Sequence, residues 1–170
     1  EIFNSTTHGL GFLGAIAFTA LLVVRAAIHG NAWHIVTFSI FGAGMIVLYL
    51  ASTLYHSAIN LRNKSRYNVF DHSSIYVLIA ATYTPITLTG IQGAFGWVVF
   101  GIIWAMAVAG IIFKVWFYSI RFRRLSTYLY IAMGCTILIA IGPVIKNLTP
   151  RSLWFILIGG ISYITGALFY

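Results

Sequence analysis

A chain of 170 residues that is 61% hydrophobic and only 7% charged cannot be an ordinary soluble domain, which carries about 25% charged residues. Its mean hydropathy is +0.96. The basic residues behind its net charge of +8 stand in short clusters between apolar runs, which is the pattern of membrane loops and not of a nucleic-acid-binding surface.

A bilayer-crossing helix needs about 20 mostly apolar residues, and six stretches meet that requirement: 9–28, 35–55, 72–91, 97–117, 128–145 and 153–170. The predicted fold is therefore all-α, a polytopic transmembrane helical bundle forming a single integral membrane domain over 1–170. Trp33, Trp97, Tyr118 and Tyr128 fall at span ends and are expected to be interfacial anchors. Pro85 in the third span and Pro143 in the fifth are expected to kink their helices, because proline removes a backbone donor and neighbours must satisfy the freed carbonyl. Glycines such as Gly42, Gly44, Gly159 and Gly160 are expected to let helices approach closely. Cys135, the only cysteine, sits in an apolar run and reads as a small buried hydrophobe. The sequence opens without Met and closes in an apolar segment, which reads as a piece of a slightly longer protein.

Orientation follows from the ten Lys and Arg residues. Arg62, Lys64, Arg66, Lys114, Arg121, Arg123 and Arg124 lie around the loops after spans two and four, against Arg25, Lys146 and Arg151 on the other side. The excess places those loops and the N-terminus in the cytoplasm of a multi-pass plasma-membrane protein. His29 and His34 then lie on the opposite side.

The chain has two acidic residues, Glu1 and Asp71. An Asp at a helix centre costs roughly 2.5–3.5 kcal/mol on insertion scales, so ionisable groups at membrane depth tend to mark functional sites. Ser52 and His56 are four apart and share a helical face, which Tyr49 and Met45 continue inward. Asp71, Ser74, Leu78, Thr82 and Pro85 form a stripe on the third span, and Glu1, Asn4, His8, Gly11 and Ala15 a polar-to-small stripe on the first. Three spans thus present polar edges on one side. His56 is the metal-ligand candidate, Asp71 and Ser52 the catalytic ones, with Glu1, Asn4, His8 and His72 in support. Catalytic zinc takes about three protein ligands and a water, and a carboxylate beside it can hold that water or orient a ligand. One histidine does not complete such a site, and no His-x-x-x-His pair occurs in the chain. The same polar residues read equally as hydrogen-bonded contacts that hold the helices together.

The opening EIFNSTTHGLG, then STLYHS, FDHSSIY with TYTP, and the closing GGISYITGALFY resemble the bacterial hemolysin III family, which groups with the progestin and adipoQ (adiponectin) receptors and more distantly with alkaline ceramidases. The resemblance runs over essentially the whole chain. It implies a seven-helix bundle, six of its spans visible here, with zinc as cofactor near the cytoplasmic face. Its pattern of Ser-x-x-x-His on helix two and Asp on helix three falls on Ser52, His56 and Asp71. The Glu, Asn and His of its first helix fall on Glu1, Asn4 and His8. Its His-x-x-x-His of helix seven has no counterpart here, so two zinc ligands are expected beyond Tyr170.

Three functions follow from this resemblance. The first is a zinc-dependent hydrolase of a lipid amide or ester, whose metal would lower the pKa of its water toward about 7, with membrane lipids as partners and a lipid as substrate. The second is a non-enzymatic homeostasis or sensor protein with structural zinc. The third is a pore-forming cytolysin; a pore needs a polar stripe through the full bilayer, and here the polar residues gather at one side. Substrate identity and oligomeric state are not encoded legibly.

Overall fold

The computed structural model describes residues 1–116 and 123–169. Helix α1 (Ile2–His29) leads into α2 (Ala32–Ser57) and α3 (Leu61–Pro85), which continues as a π-helical segment, Ile86–Ile91. Then come α4 (Gly93–Trp116), α5 (Arg123–Cys135), a 3₁₀ segment (Thr136–Ala140), α6 (Ile141–Asn147) and α7 (Pro150–Leu168). No strand occurs among the described residues.

Local chemistry sets the helix starts. Asn31 caps α2 by accepting from the Trp33 and His34 amides, and Asn60 caps α3 by accepting from those of Arg62 and Asn63. Thr149 caps α7, with Pro150 at its first position, where the missing N–H costs nothing. Polar residues inside the helices bond to their own backbone: Thr6, Thr7, Thr19, Thr37, Ser39 and Thr53 each donate to the carbonyl four residues back.

α1 packs along α2, α2 along α3, and α3 against α4. Small residues permit the close approaches: Gly42 faces Thr19, Gly110 faces the Tyr76 ring, and a Cβ on Gly44 would come within 2.7 Å of Ala81. Gly159 and Gly160 do otherwise. Among the described residues nothing lies within 4 Å of a Cβ built at either, and both line an apolar cavity of about 440 Å³ between α3, the α5 region and α7.

The prolines also act differently from a simple kink. Pro85 is the last α-helical residue before the π segment. The weakened ladder around it is served by hydroxyls, Thr84 donating to Ala80, Thr87 to Tyr83 and Thr89 to Pro85. In the fifth predicted span the α-helix breaks at Cys135, eight residues before Pro143. The cause is a side chain from α3: the Tyr83 hydroxyl donates to the Gly134 carbonyl at 2.6 Å and accepts from the Ile137 amide at 2.7 Å. A phenol inserted into the ladder in this way tightens the next turn into 3₁₀ geometry. Cys135 is half-buried beside it.

Among the described residues five helical stretches are long and apolar enough to cross a bilayer: Ile2–His29, Ala32–Ser57, Leu61–Ile91, Gly93–Trp116 and Leu125–Asn147. The sixth predicted span is the 19-residue α7. Large apolar side chains cover the outside, among them Leu13, Leu21, Val98, Ile102 and Phe155. An apolar outer surface on apolar helices is what lipid requires. The protein is a multi-pass membrane protein. Trp33 and Trp97 meet edge to face at 5.7 Å and Tyr128 is exposed, as interfacial residues should be; Tyr118 lies outside the described residues, as do Arg121 and the side chains of Arg123 and Arg124.

Tyr83→Phe should cost about 1–3 kcal/mol, because the amide and carbonyl it bridges lose their buried partner. Gly160→Ala should be close to neutral, since its Cβ would point into open space. Thermal unfolding in detergent would check both, and a neutral Tyr83→Phe would contradict the bridge.

Candidate functional site

The helical hairpins carry the first turn of α1, the last of α2 and the early turns of α3 to one end of the bundle. There the polar side chains pair across helices. His56 Nδ1 lies 2.7 Å from Glu1 Oε2, and the Lys64 ammonium donates to Glu1 Oε1 at 2.8 Å. His8 Nδ1 and Ser52 Oγ are 2.6 Å apart. The His8 and His56 rings meet edge to face at 5.7 Å. Gly11 leaves room for the Tyr49 ring, which in turn packs on His8 at 6.0 Å.

Proton placement follows from what each atom can do. A carboxylate only accepts, so His56 Nδ1 carries the hydrogen given to Glu1, and in the neutral ring Nε2 keeps its lone pair. The His8–Ser52 contact joins α1 to α2, and the Asp71 carboxylate of α3 lies within electrostatic reach of Ser52, His8 and His56. Ser52 is buried and Asp71 is 15% exposed, so neither relies on bulk water.

The other predicted residues take different places. Asn4 is exposed, and only its backbone carbonyl is engaged, by Thr7. His72 is buried and donates from Nδ1 to the Asn68 carbonyl at 2.8 Å, with Asp71 Oδ2 3.9 Å away; its own carbonyl receives the Tyr130 hydroxyl. It therefore braces α3 against α5 more than it meets the cluster. Ser74 donates to the Asp71 carbonyl and does not reach the carboxylate.

Three residues of the site were not anticipated from sequence. Lys64, counted only as a loop charge, holds Glu1. Tyr55 lies between Lys64, 5.7 Å over its ring, and the ring of His56 at 4.8 Å. Lys114, also counted as a loop charge, is buried and lies within electrostatic reach of Asp71. A lysine inside an apolar run three residues from its end was the available signal.

The Haemolysin-III related family model matches residues 1–170. The chain belongs to that family. It is 44% identical over its full length to the Hemolysin-3 homolog of Bacillus subtilis, covering 79% of that protein. It is likewise 44% identical over its full length to Hemolysin-3 of Bacillus cereus, covering 77%. A 28% likeness over 136 residues, 77% of this chain and 56% of the relative, reaches the Monocyte to macrophage differentiation factor of Homo sapiens. That reach beyond bacteria agrees with the progestin and adipoQ receptor-like superfamily.

The donor set fits one metal ligand and not a whole site. The Glu1–His56 pair has the carboxylate–histidine form that orients a metal-binding imidazole, leaving Nε2 as the donor. Among the described residues no three His, Cys, Asp or Glu side chains are grouped so as to hold a metal ion.

Glu1 offers a pH handle. The Lys64 hydrogen bond, then that of His56, pulls its carboxyl from 4.5 down to about 2. A lowered folded value means the pairing is fully present above about pH 4.5 and is lost as pH falls through about 2. Glu1→Gln should therefore flatten the acid side of the thermal-stability profile across that window. An unchanged profile would show that Glu1 is not paired in solution.

Proposed function

We propose that this Haemolysin-III related protein carries a zinc site at the cytoplasmic edge of the plasma membrane, with His56 a ligand through Nε2. Asp71 and Ser52 are its reaction residues, in a hydrolase of a lipid amide or ester. The observation that carries the reading is the Glu1 carboxylate on His56 Nδ1, which presents the opposite nitrogen while His8, Ser52 and Asp71 lie alongside. The cytoplasmic placement is supported by the excess of Lys and Arg around this end.

The residues present supply one ligand where about three are needed. What these side chains do on their own is hold protons. Asp71 can take one from a water or hydroxyl beside it, and His8 can give one to the Ser52 oxygen. A lipid reaching the site laterally would present its polar linkage at this depth and keep its chains in the bilayer.

One observation favours the second reading, a sensor or homeostasis protein with structural zinc: His8 and Ser52 bond to each other across α1 and α2 and hold the helices together. The pore reading lacks comparable support, since the polar cluster is confined to one end.

Elemental analysis of the full-length protein separates these. The expected result is about one zinc per chain, lost in His56→Ala. Asp71→Asn should retain zinc and lose turnover of lipid amides or esters. Zinc retained with no dependence of function on Asp71 would favour the structural role, and no zinc in the wild type after chelator-free purification would overturn the site.

A further inference from the structure

Beside the cluster, between the first turns of α1 and the α2–α3 connection, opens a cavity of about 360 Å³ lined by Glu1, Ile2, Thr6, Ser57, Ile59 and Lys64 with their neighbours. Its charged wall is bipolar. Glu1 and Lys64 are paired at 2.8 Å, and their side chains are 54% and 27% exposed. Its lip is apolar and outward-facing, with Ile2 85% and Ile59 96% exposed.

A ligand here meets both charges at once. An anion gains Lys64 but is repelled by the adjoining carboxylate, and a cation meets the reverse. A molecule carrying an ammonium and a phosphate on a short tether satisfies both and loses nothing to either. An exposed ion pair contributes little on its own, so exchanging it for two ligand contacts is close to an even trade. Lys64 has three N–H donors, of which one serves Glu1, leaving others for phosphate. The Thr6 and Ser57 hydroxyls already donate to Ile2 and Leu54 carbonyls, so what they offer the cavity is oxygen lone pairs, which suit an ammonium. The apolar lip at the membrane edge supplies the path for acyl chains.

We propose that this cavity seats the zwitterionic headgroup of a phospholipid, the ammonium on Glu1 and the phosphate on Lys64, with the chains leaving over Ile2 and Ile59. The site requires neither metal nor hydrolysis; it shares Glu1 with the His56 contact and is lined by His56, and lipid retention is read separately from zinc content.

Native mass spectrometry of the full-length protein in detergent tests it, with phosphatidylethanolamine and phosphatidylglycerol of identical chains at equal concentration. The wild type should retain phosphatidylethanolamine about fivefold over phosphatidylglycerol, the scale of one charged side chain–headgroup contact. Glu1→Gln, which removes the ammonium's partner and leaves Lys64 for the phosphate both lipids share, should remove that preference. Should Glu1→Gln fail to fold, Ser57→Trp, placed to fill the cavity, should remove it instead. Equal retention of the two lipids by the wild type would overturn the proposal, as would a preference that persists in the folded variant.

Discussion

The 2.6 Å contact between His8 and Ser52 is the point on which the polar end of this bundle depends. Hydrocarbon offers no partner to a polar group, so each such group must be satisfied inside the protein. His8 lies two turns into α1, and Ser52 one turn before the end of α2. Bonding them fixes how far α1 slides along α2 and leaves Asp71 of α3 within electrostatic reach of both. The placement of Glu1 beside His56 and Lys64 follows from the same register. A slip of one residue along α1 would turn His8 about 100° away and break both pairings.

The same rule shapes the rest of the fold. Most Thr and Ser hydroxyls inside the spans bond to the turn before them; Ser73 Oγ is buried without a partner among the described residues. Where an α-helical ladder is interrupted, a hydroxyl again fills in: threonines around Pro85, and the Tyr83 phenol at the break in α5. Close contacts between helices use Gly42, Gly44 and Gly110, because without a hydrophobic driving force between apolar surfaces, packing at short range must supply the association.

Hydropathy alone made the membrane class and the number of helices legible, because the apolar runs are long and few charges interrupt them. It misplaced the helix starts for a physical reason. α1 begins at Ile2 and α3 at Leu61, well ahead of the apolar runs at 9 and 72, since polar first turns capped at Asn60 or bonded through Thr6 and Thr7 are helical without being hydrophobic. The break at Cys135 was invisible because its cause, Tyr83, lies 51 residues away. At the site, the four-residue spacing of Ser52 and His56 did indicate a shared face, and Glu1 and His8 did reach it. Asn4 shares the stripe of Glu1 and His8 yet stays exposed. Lys64, Tyr55 and Lys114 were hidden because loop charges and aromatics look alike until packing selects among them. The family assignment rests on sequence likeness over the whole chain, which fixes kinship and leaves chemistry to be argued from the site.

Residues from α1 and α2 act as one unit at this end of the membrane, with Asp71 of α3 beside them. A double-mutant cycle of His8→Phe and Ser52→Ala, read by unfolding free energy in detergent, measures the coupling directly. It should be about 0.6–1.7 kcal/mol, the range found for hydrogen bonds between membrane helices. Additivity within about 0.3–0.5 kcal/mol would contradict it, and the polar residues would then be independent packing contacts with no shared site.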